Sequence, residues 1–325
     1  MNAVKFAVQL IAALVLTIAS AAAPAQQYPS KPITMIVPFP PGGIADITGR
    51  PLALVMSRIL GQGIVVENRA GAGGAVGMAY VAKQKPDGYT LMTALSSIVI
   101  IPESDKVSGR TPLYQMSEFT PIALLSADPT VLLVPNDSPW KTLGDLINDA
   151  KARPGKISYS SSGIYGTTHT AFEMLAQSAG VQLLHVPYKG GGPAMTALLT
   201  GEVSITAQSP GVANPHVKGG KVRVLGSWGA TRLPLIADVP TMKEQGFDVE
   251  FYIWAALFAP AGLPPDLLAK LRTTVRQVVQ EPEFRAAMAG MNTPINYMEG
   301  GDFDNFIAQD SKRLGRVVKL MGKVE

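Results

Sequence analysis

Residues Ile33 to Leu60, ITMIVPFPPGGIADITGRPLALVMSRIL, constrain this chain more than any other stretch. A buried-strand run enters a Pro/Gly corner and leaves it as an amphipathic helix. Such a corner aims unpaired backbone N–H groups into the space beyond the strand, where the positive end of the helix dipole favours an anion. A similar unit recurs from Lys156, KISYSSSGIYGTTHTAFEMLAQSAG: a short strand, a loop of two glycines and small hydroxyl residues, then a helix. Two such loops in separate halves describe a clamp.

The surrounding elements alternate. Strand Ile33 to Pro38 and the helix ending at Leu60 precede strand Ile64 to Glu67, helix Ala75 to Lys83 and strand Thr90 to Ala94. A second alternation runs from a strand at Val131 to Val134 through helix Leu143 to Ala152, strand Ile157 to Ser160, helix His169 to Ala179 and strand Leu184 to Pro187. It continues with helix Ala194 to Leu199 and strands Ser204 to Ala207 and Val222 to Ser227. That rhythm predicts βαβ units, a mostly parallel sheet and two α/β lobes. After extended Val249 to Phe258 come helices Asp266 to Val279, Pro282 to Ala289 and Asp302 to Met321, which are expected to pack back on the first lobe, so that two chain crossings make a hinge. Pro51 leaves two possibilities: the first helix starts there, which moves Gly42 and Gly43 away from its first turn, or it starts earlier and bends.

Length and apolar content, 325 residues and 47% hydrophobic, suffice for two packed cores. The start MNAVK, the apolar run Phe6 to Ala23 and the small-x-small Ala23-Pro24-Ala25 read as a secretory signal peptide over 1–25, with the mature chain beginning at Gln26. With no cysteine there is neither a disulfide nor a lipid-bearing N-terminal cysteine, so the expected location is the periplasm, unanchored. Removing 1–25 takes away one charge, Lys5, and lowers the net +4 to about +3, with no dense Lys/Arg stripe for nucleic acid.

Taken one by one, the chemical groups point to binding. Gly42 and Gly43 let bare N–H groups approach a carboxylate or phosphate, or simply serve a tight turn. Ser161, Ser162, Thr167 and Thr168 offer hydroxyls beside Gly163 and Gly166, with Thr167 or Thr168 as helix N-cap. Tyr165 presents an aromatic face or covers the loop; Asp46 caps the first helix, accepts from a ligand donor or orients water. The segment NRAGAGGAVG is close to a dinucleotide fingerprint, but its last glycine, Gly77, arrives one residue late. His169, His185 and His216 lack metal-ligand spacing, and neither a G-x-S-x-G elbow nor a P-loop is present, so no metal, cofactor or catalytic machinery is implied. Met174, Trp228 and Trp254 read as core.

The series YPSKPITMIVPFPPGGIAD, VVENRAGAGGAVG, KPDGYTL, HVPYKGGGPAMTALLTGEV, GGKVRVLG and ADVPTMKEQGF, then Trp254 through APAGLPPDLLAKL, resembles the Bug family, TctC-like extracytoplasmic solute receptors of tripartite tricarboxylate transport systems. The resemblance spans nearly the whole mature chain. It implies an α/β, two-domain type II periplasmic binding protein fold with two crossover segments, domain 1 from 26–126 and 252–325 and domain 2 from 127–251, closing on a small organic carboxylate without catalysis. Phe39 to Asp46 and Ser162 to His169 match the family's two carboxylate loops. The candidate ligand-binding set is Phe39, Pro41, Gly42, Gly43, Ala45, Asp46, Ser96, Ser162, Gly163, Tyr165, Gly166, Thr167, Thr168, His169 and Gln208. Ala45, Ser204 and Ala256 depart from the family pattern, as does Ile98 to Glu118, which leaves the ligand's identity open. Implied partners are the membrane permease subunits of a tripartite tricarboxylate transporter, for a monomeric receptor; docking on a sensor kinase and an exported α/β enzyme are the alternatives.

Overall fold

The computed structural model describes residues 28–324; the leader expected at 1–25 and the Gln26 start lie outside them. Two sheets organise the chain. The first has six strands in the order β11-β4-β10-β3-β1-β2, where β1 is Ile33–Val37, β2 Ile64–Asn68, β3 Thr90–Leu95, β4 Phe119–Pro129, β10 Tyr252–Pro260 and β11 Met298–Glu299. The second has the order β7-β6-β8-β5-β9: β5 is Val131–Pro135, β6 Ser158–Ser161, β7 Leu184–Pro187, β8 Ile205–Gln208 and β9 Val222–Ser227.

Both sheets are mixed, which corrects the expectation of mostly parallel pairing. β1 pairs in parallel with β2 and β3, but β10 runs antiparallel to β3 and β4, and β5 antiparallel to β8 and β9. The reason is the crossover. A strand that leaves one sheet and feeds the other, as β4 does through Thr130 into β5, inverts the local alternation. The two crossings lie side by side: Thr130 N–H donates to Phe251 O at 3.1 Å, Phe251 N–H to Trp228 O at 3.1 Å and Trp228 N–H to Thr130 O at 2.9 Å.

Ten α-helices fill in between, among the described residues. Helix α1, Ile44–Leu60, runs through Pro51 and ends on left-handed Gly61. An interior proline costs roughly 3 kcal/mol; burial of Leu52, Val55 and Met56 on the following turn offsets it. The early start keeps Gly43 at the helix N-cap. Then come α2, Ala75–Ala82; α3, Ser97–Val107; α4, Leu143–Ala152; α5, Thr167–Ala179; α6, Gly191–Leu199; and α7, Pro210–Lys218. α4 starts on a reciprocal cap, Asp145 N–H donating to Thr142 Oγ1 and Thr142 N–H to the Asp145 carboxylate. The last three, α8 (Pro265–Val278), α9 (Pro282–Gly290) and α10 (Gly300–Met321), return to the first sheet: α8 and α9 pack on α1, α10 on α3 and β4. No helix among the described residues is long and apolar enough to cross a membrane.

Candidate functional site

A small chamber of about 20 Å³ lies where the two lobes meet. Its wall is built from βα turns at the carboxyl ends of strands: Phe39, Gly43, Ile44 and Ala45 after β1, Ser162, Thr167 and Thr168 after β6, Gly191 after β7, and Gln208, Ser209 and Val212 after β8. Leu95 and Ile253 complete it. The lining contains neither lysine nor arginine. Instead the first turns of α1, α5, α6 and α7 all open on it. The N-caps of the first three are Gly43, Gly166 and Gly190, none with a side-chain cap, and that of α7 is Ser209. Four helix N-termini around one cavity make a field for a negative group from backbone alone, each contributing about 0.3–1 kcal/mol.

Hydroxyls supplement these amides. Ser162 N–H donates to Thr168 Oγ1 at 2.8 Å, and Ser162 Oγ lies 3.2 Å from Thr168 Oγ1 and 3.3 Å from Thr167 Oγ1. Thr167 and Thr168 are therefore inside the helix and bound to the loop. The N-cap expected of them belongs to Gly166, because α5 begins two residues earlier than its apolar pattern shows. Gln208 Nε2 donates to Gly191 O at 3.0 Å, fixing the third turn to the second sheet.

The lobes touch through backbone. A Cβ at Gly190 would stand 2.7 Å from Pro40 Cδ, one at Gly192 2.9 Å from Pro41 O, and one at Gly163, whose φ is +125°, 3.1 Å from Gly73 N. Glycines on both sides permit this approach. The near-fingerprint at Gly71 to Gly77 thus serves close approach and packing: Gly73 faces Gly163, and a Cβ at Gly77 would meet Arg69 O at 2.6 Å.

Of the sequence candidates, Phe39, Gly43, Ala45, Ser162, Thr167, Thr168 and Gln208 line the chamber, while Pro41, Gly42, Asp46, Ser96, Gly163, Tyr165, Gly166 and His169 do not. Asp46 is turned into the α1 corner, where it accepts from Gly42 N–H at 3.1 Å, Arg50 Nε at 3.1 Å and Asn68 Nδ2 at 2.9 Å. Burial works to raise its carboxyl, but the hydrogen bonds from Arg50, Asn68 and Gly42 outweigh it and hold the group below its ordinary value. Ser96 is the N-cap of α3, buried, its hydroxyl without a partner. Tyr165 turns its ring inward at a positive φ of 53°, and its hydroxyl donates to Gly322 O at 2.6 Å and accepts from Val324 N–H at 2.8 Å. His169 accepts from Tyr165 N–H through Nδ1 at 2.9 Å and stacks on His185, ring centroids 4.0 Å apart, with His185 Nε2 2.6 Å from Ser161 Oγ. Burial, then the neighbouring His185, pushes His169 down to about 3; burial pushes His185 down to about 4. Both are neutral supports of the loop. Missed by the sequence reading were Ile44, Leu95, Gly191, Ser209, Val212 and Ile253. The GGG of HVPYKGGGPAM was the available signal for Gly191, being a third glycine corner before a helix.

Two α/β lobes joined by paired crossings, with a chamber between them, define a two-domain periplasmic-binding-protein fold. The model of the Tripartite tricarboxylate transporter family receptor, TctC, matches residues 48–323, and the chain belongs to that family. It is 36% identical over 311 residues, 96% of this chain and 94% of the relative, to a UPF0065 protein encoded in the gbd 5′ region of Cupriavidus necator. Among solved structures it is similar to the periplasmic binding protein BugD, with TM-score 0.84, 30% identity and coverage of 90% of this chain and 98% of that one. MatC from Rhodopseudomonas palustris, solved with bound malate, gives TM-score 0.83 and 27% identity over 90% of this chain and all of that one. The protein is a periplasmic solute-binding receptor by family, not an enzyme.

Proposed function

We propose that this receptor captures a small organic carboxylate in the chamber and presents it to the membrane permease subunits of a tripartite tricarboxylate-type transporter. The observation that carries this reading is the convergence of four helix N-termini, none with a hydrogen bond from its N-cap side chain, on a cavity without a basic side chain. Malate in MatC is in keeping with it. One carboxylate sits against the first turns of α1 and α5, with Ser162, Thr167 and Thr168 as hydroxyl donors. The boundary expected at 126/127 falls inside β4, so domain 1 is 26–129 with 252–325 and domain 2 is 130–251, and the ligand bridges them; it shifts the open and closed populations by its differential affinity for the closed one. Residues 1–25 act as the export signal, and the mature receptor works as a free periplasmic monomer.

A thermal-shift screen of unfolded, ligand-stripped and refolded protein tests this. Mono-, di-, tri- and aromatic carboxylates are compared with sugars and nucleotides. A ligand at a hundred times its dissociation constant adds roughly 2.7 kcal/mol and raises the midpoint by several degrees. Stabilisation by a nucleotide or sugar and by no carboxylate refutes the reading.

A further inference from the structure

Behind the inner wall of the chamber, and outside its lining, lie buried polar groups that nothing in the protein satisfies. Across β3, β10 and β4, Leu95 stands opposite Ala255 and Ala255 opposite Ser126; two residues along, Ile253 stands opposite Asp128. Side chains alternate between the faces of a strand, so these five share one face. Two of them, Leu95 and Ile253, line the chamber. The opposite face holds Ala127 and Trp254, which line a separate hollow with Asp310 and Arg313. Asp128 is therefore on the chamber side of the sheet, one cross-strand spacing of about 5 Å from the wall at Ile253.

Asp128 is fully buried, and neither carboxyl oxygen has a hydrogen-bond partner. Ser126 Oγ, two residues before it, and Thr130 Oγ1, two residues after, are buried and unpartnered as well. Unpaired buried polar groups are costly and rare, and a row of them calls for a missing partner. Burial pushes the Asp128 carboxyl up to about 8, and the neighbouring Ser126 hydroxyl offsets this only in part. Leu95, Ala255, Ile253, Ser126 and Thr130, the residues around it on this face, bring no charge. A second ligand carboxylate would meet no cation here. Four acceptor oxygens in a row suit a positively charged group with several donors.

We propose that Asp128 receives a protonated amine, so that the ligands are small amino acids held by the carboxylate at the helix N-termini and by the ammonium at Asp128. This rests on the carboxylate reading of the chamber. As the ammonium docks, Asp128 gives its proton to solvent and the two form an ion pair; an amine-free acid leaves it protonated.

The test is calorimetric titration of refolded, ligand-stripped receptor at pH 7, in two buffers of different ionisation enthalpy. The titrants are the common L-amino acids and their amine-free counterparts, such as L-aspartate with succinate and L-glutamate with glutarate. An amino acid is expected to bind on the order of 100-fold tighter than its counterpart, with close to one proton released per ligand. Asp128→Asn is expected to lose about 100-fold for that amino acid and to abolish the proton release, while its ligand-free melting point and its affinity for the counterpart stay near wild type. Proton release from the unmutated receptor carries the test if the variant does not fold. Equal affinity for an amine-free counterpart, amino-acid binding without proton release, or silence from every amino acid overturns the role of Asp128. Carboxylates that still bind in the thermal screen then leave the chamber reading intact, whereas silence there removes both.

Discussion

Tyr165→Phe is the sharpest test of how the lobes close. The Tyr165 hydroxyl, on the loop between β6 and α5, ties Gly322 O and Val324 N–H at 2.6 and 2.8 Å. Those tail residues follow α10, which packs on α3 and β4 of the other sheet. The two hydrogen bonds thus span the lobes, and opening of the proposed clamp would break them. At about 1 kcal/mol net each they bias closure by about 2 kcal/mol, or roughly 30-fold in the closed population. Phenylalanine keeps the buried ring and removes only the latch. Affinity for whichever acid binds wild type should fall by up to about 30-fold by calorimetry, and ligand-free small-angle scattering should show a more open average. Ending the chain after Met321 removes the same partners, so it should cost the same, and the two changes together no more. Tyr165→Phe binding within twofold of wild type, or full additivity with the truncation, refutes the latch.

Further outcomes follow from the loops and the core. Gly43 has ordinary extended backbone and a Cβ there would clear Gly192 N by 3.8 Å, so Gly43→Ala should bind within a few-fold of wild type; Gly43→Val, with methyls aimed at Gly191 and Gly192, should abolish binding at an unchanged melting point. Gly166→Val, in contrast, should lose binding and fold stability together in a urea titration, since a Cβ meets Ser162 Oγ at 2.6 Å and Gly163 O at 2.9 Å. His169 and His185 have folded values of about 3 and 4, below the unfolded 6.5, so the unfolded chain binds more protons between these values. Their stability contribution is full above pH 6.5 and is lost as pH falls: between pH 7 and 4.5 His169 should cost about 2 kcal/mol and the more solvent-open His185 less, read as urea midpoints that flatten in His169→Asn. Trp254→Phe removes the donor that holds Asp310 Oδ2 at 2.7 Å and should destabilise by about 1–3 kcal/mol in the same titration.

The elements legible in the sequence were those whose own pattern closes locally. β7, β9 and α4 fall where the alternation puts them. Three others were invisible. α3, SIVIIPESDKV, is β-branched with Pro102 inside, and α7, PGVANPHVK, carries Gly, Asn and two prolines, so local propensity argues against helix at both. They form because packing overrides propensity: Ile98, Ile100 and Ile101 are buried in α3, Val212 and Ala213 in α7. β4, FTPIALLSADP, reads as an apolar run broken by proline and aspartate, yet pairs with both β10 and β11.

The same division runs through the site. The proposed carboxylate clamp, made of turns, is local chemistry: glycine for approach, small hydroxyls for donors, a helix behind, all within a dozen residues, so Gly43, Ser162, Thr167 and Thr168 could be named from spacing alone. The far wall has no such grammar. Leu95, Ser126, Asp128 and Ile253 lie on three strands, and only the register of β10 between β3 and β4 brings them to one face. In the sequence Asp128 stands before a proline, where a turn reading is natural, and Ile253 is one more apolar residue in a strand. On the proposed reading, a ligand's charged end is met by segments that each announce themselves, and its distinguishing end by a surface that exists only after two crossings have been made. Receptors sharing the turns can therefore differ in ligand through single changes on that sheet face, with no trace in the glycine motifs.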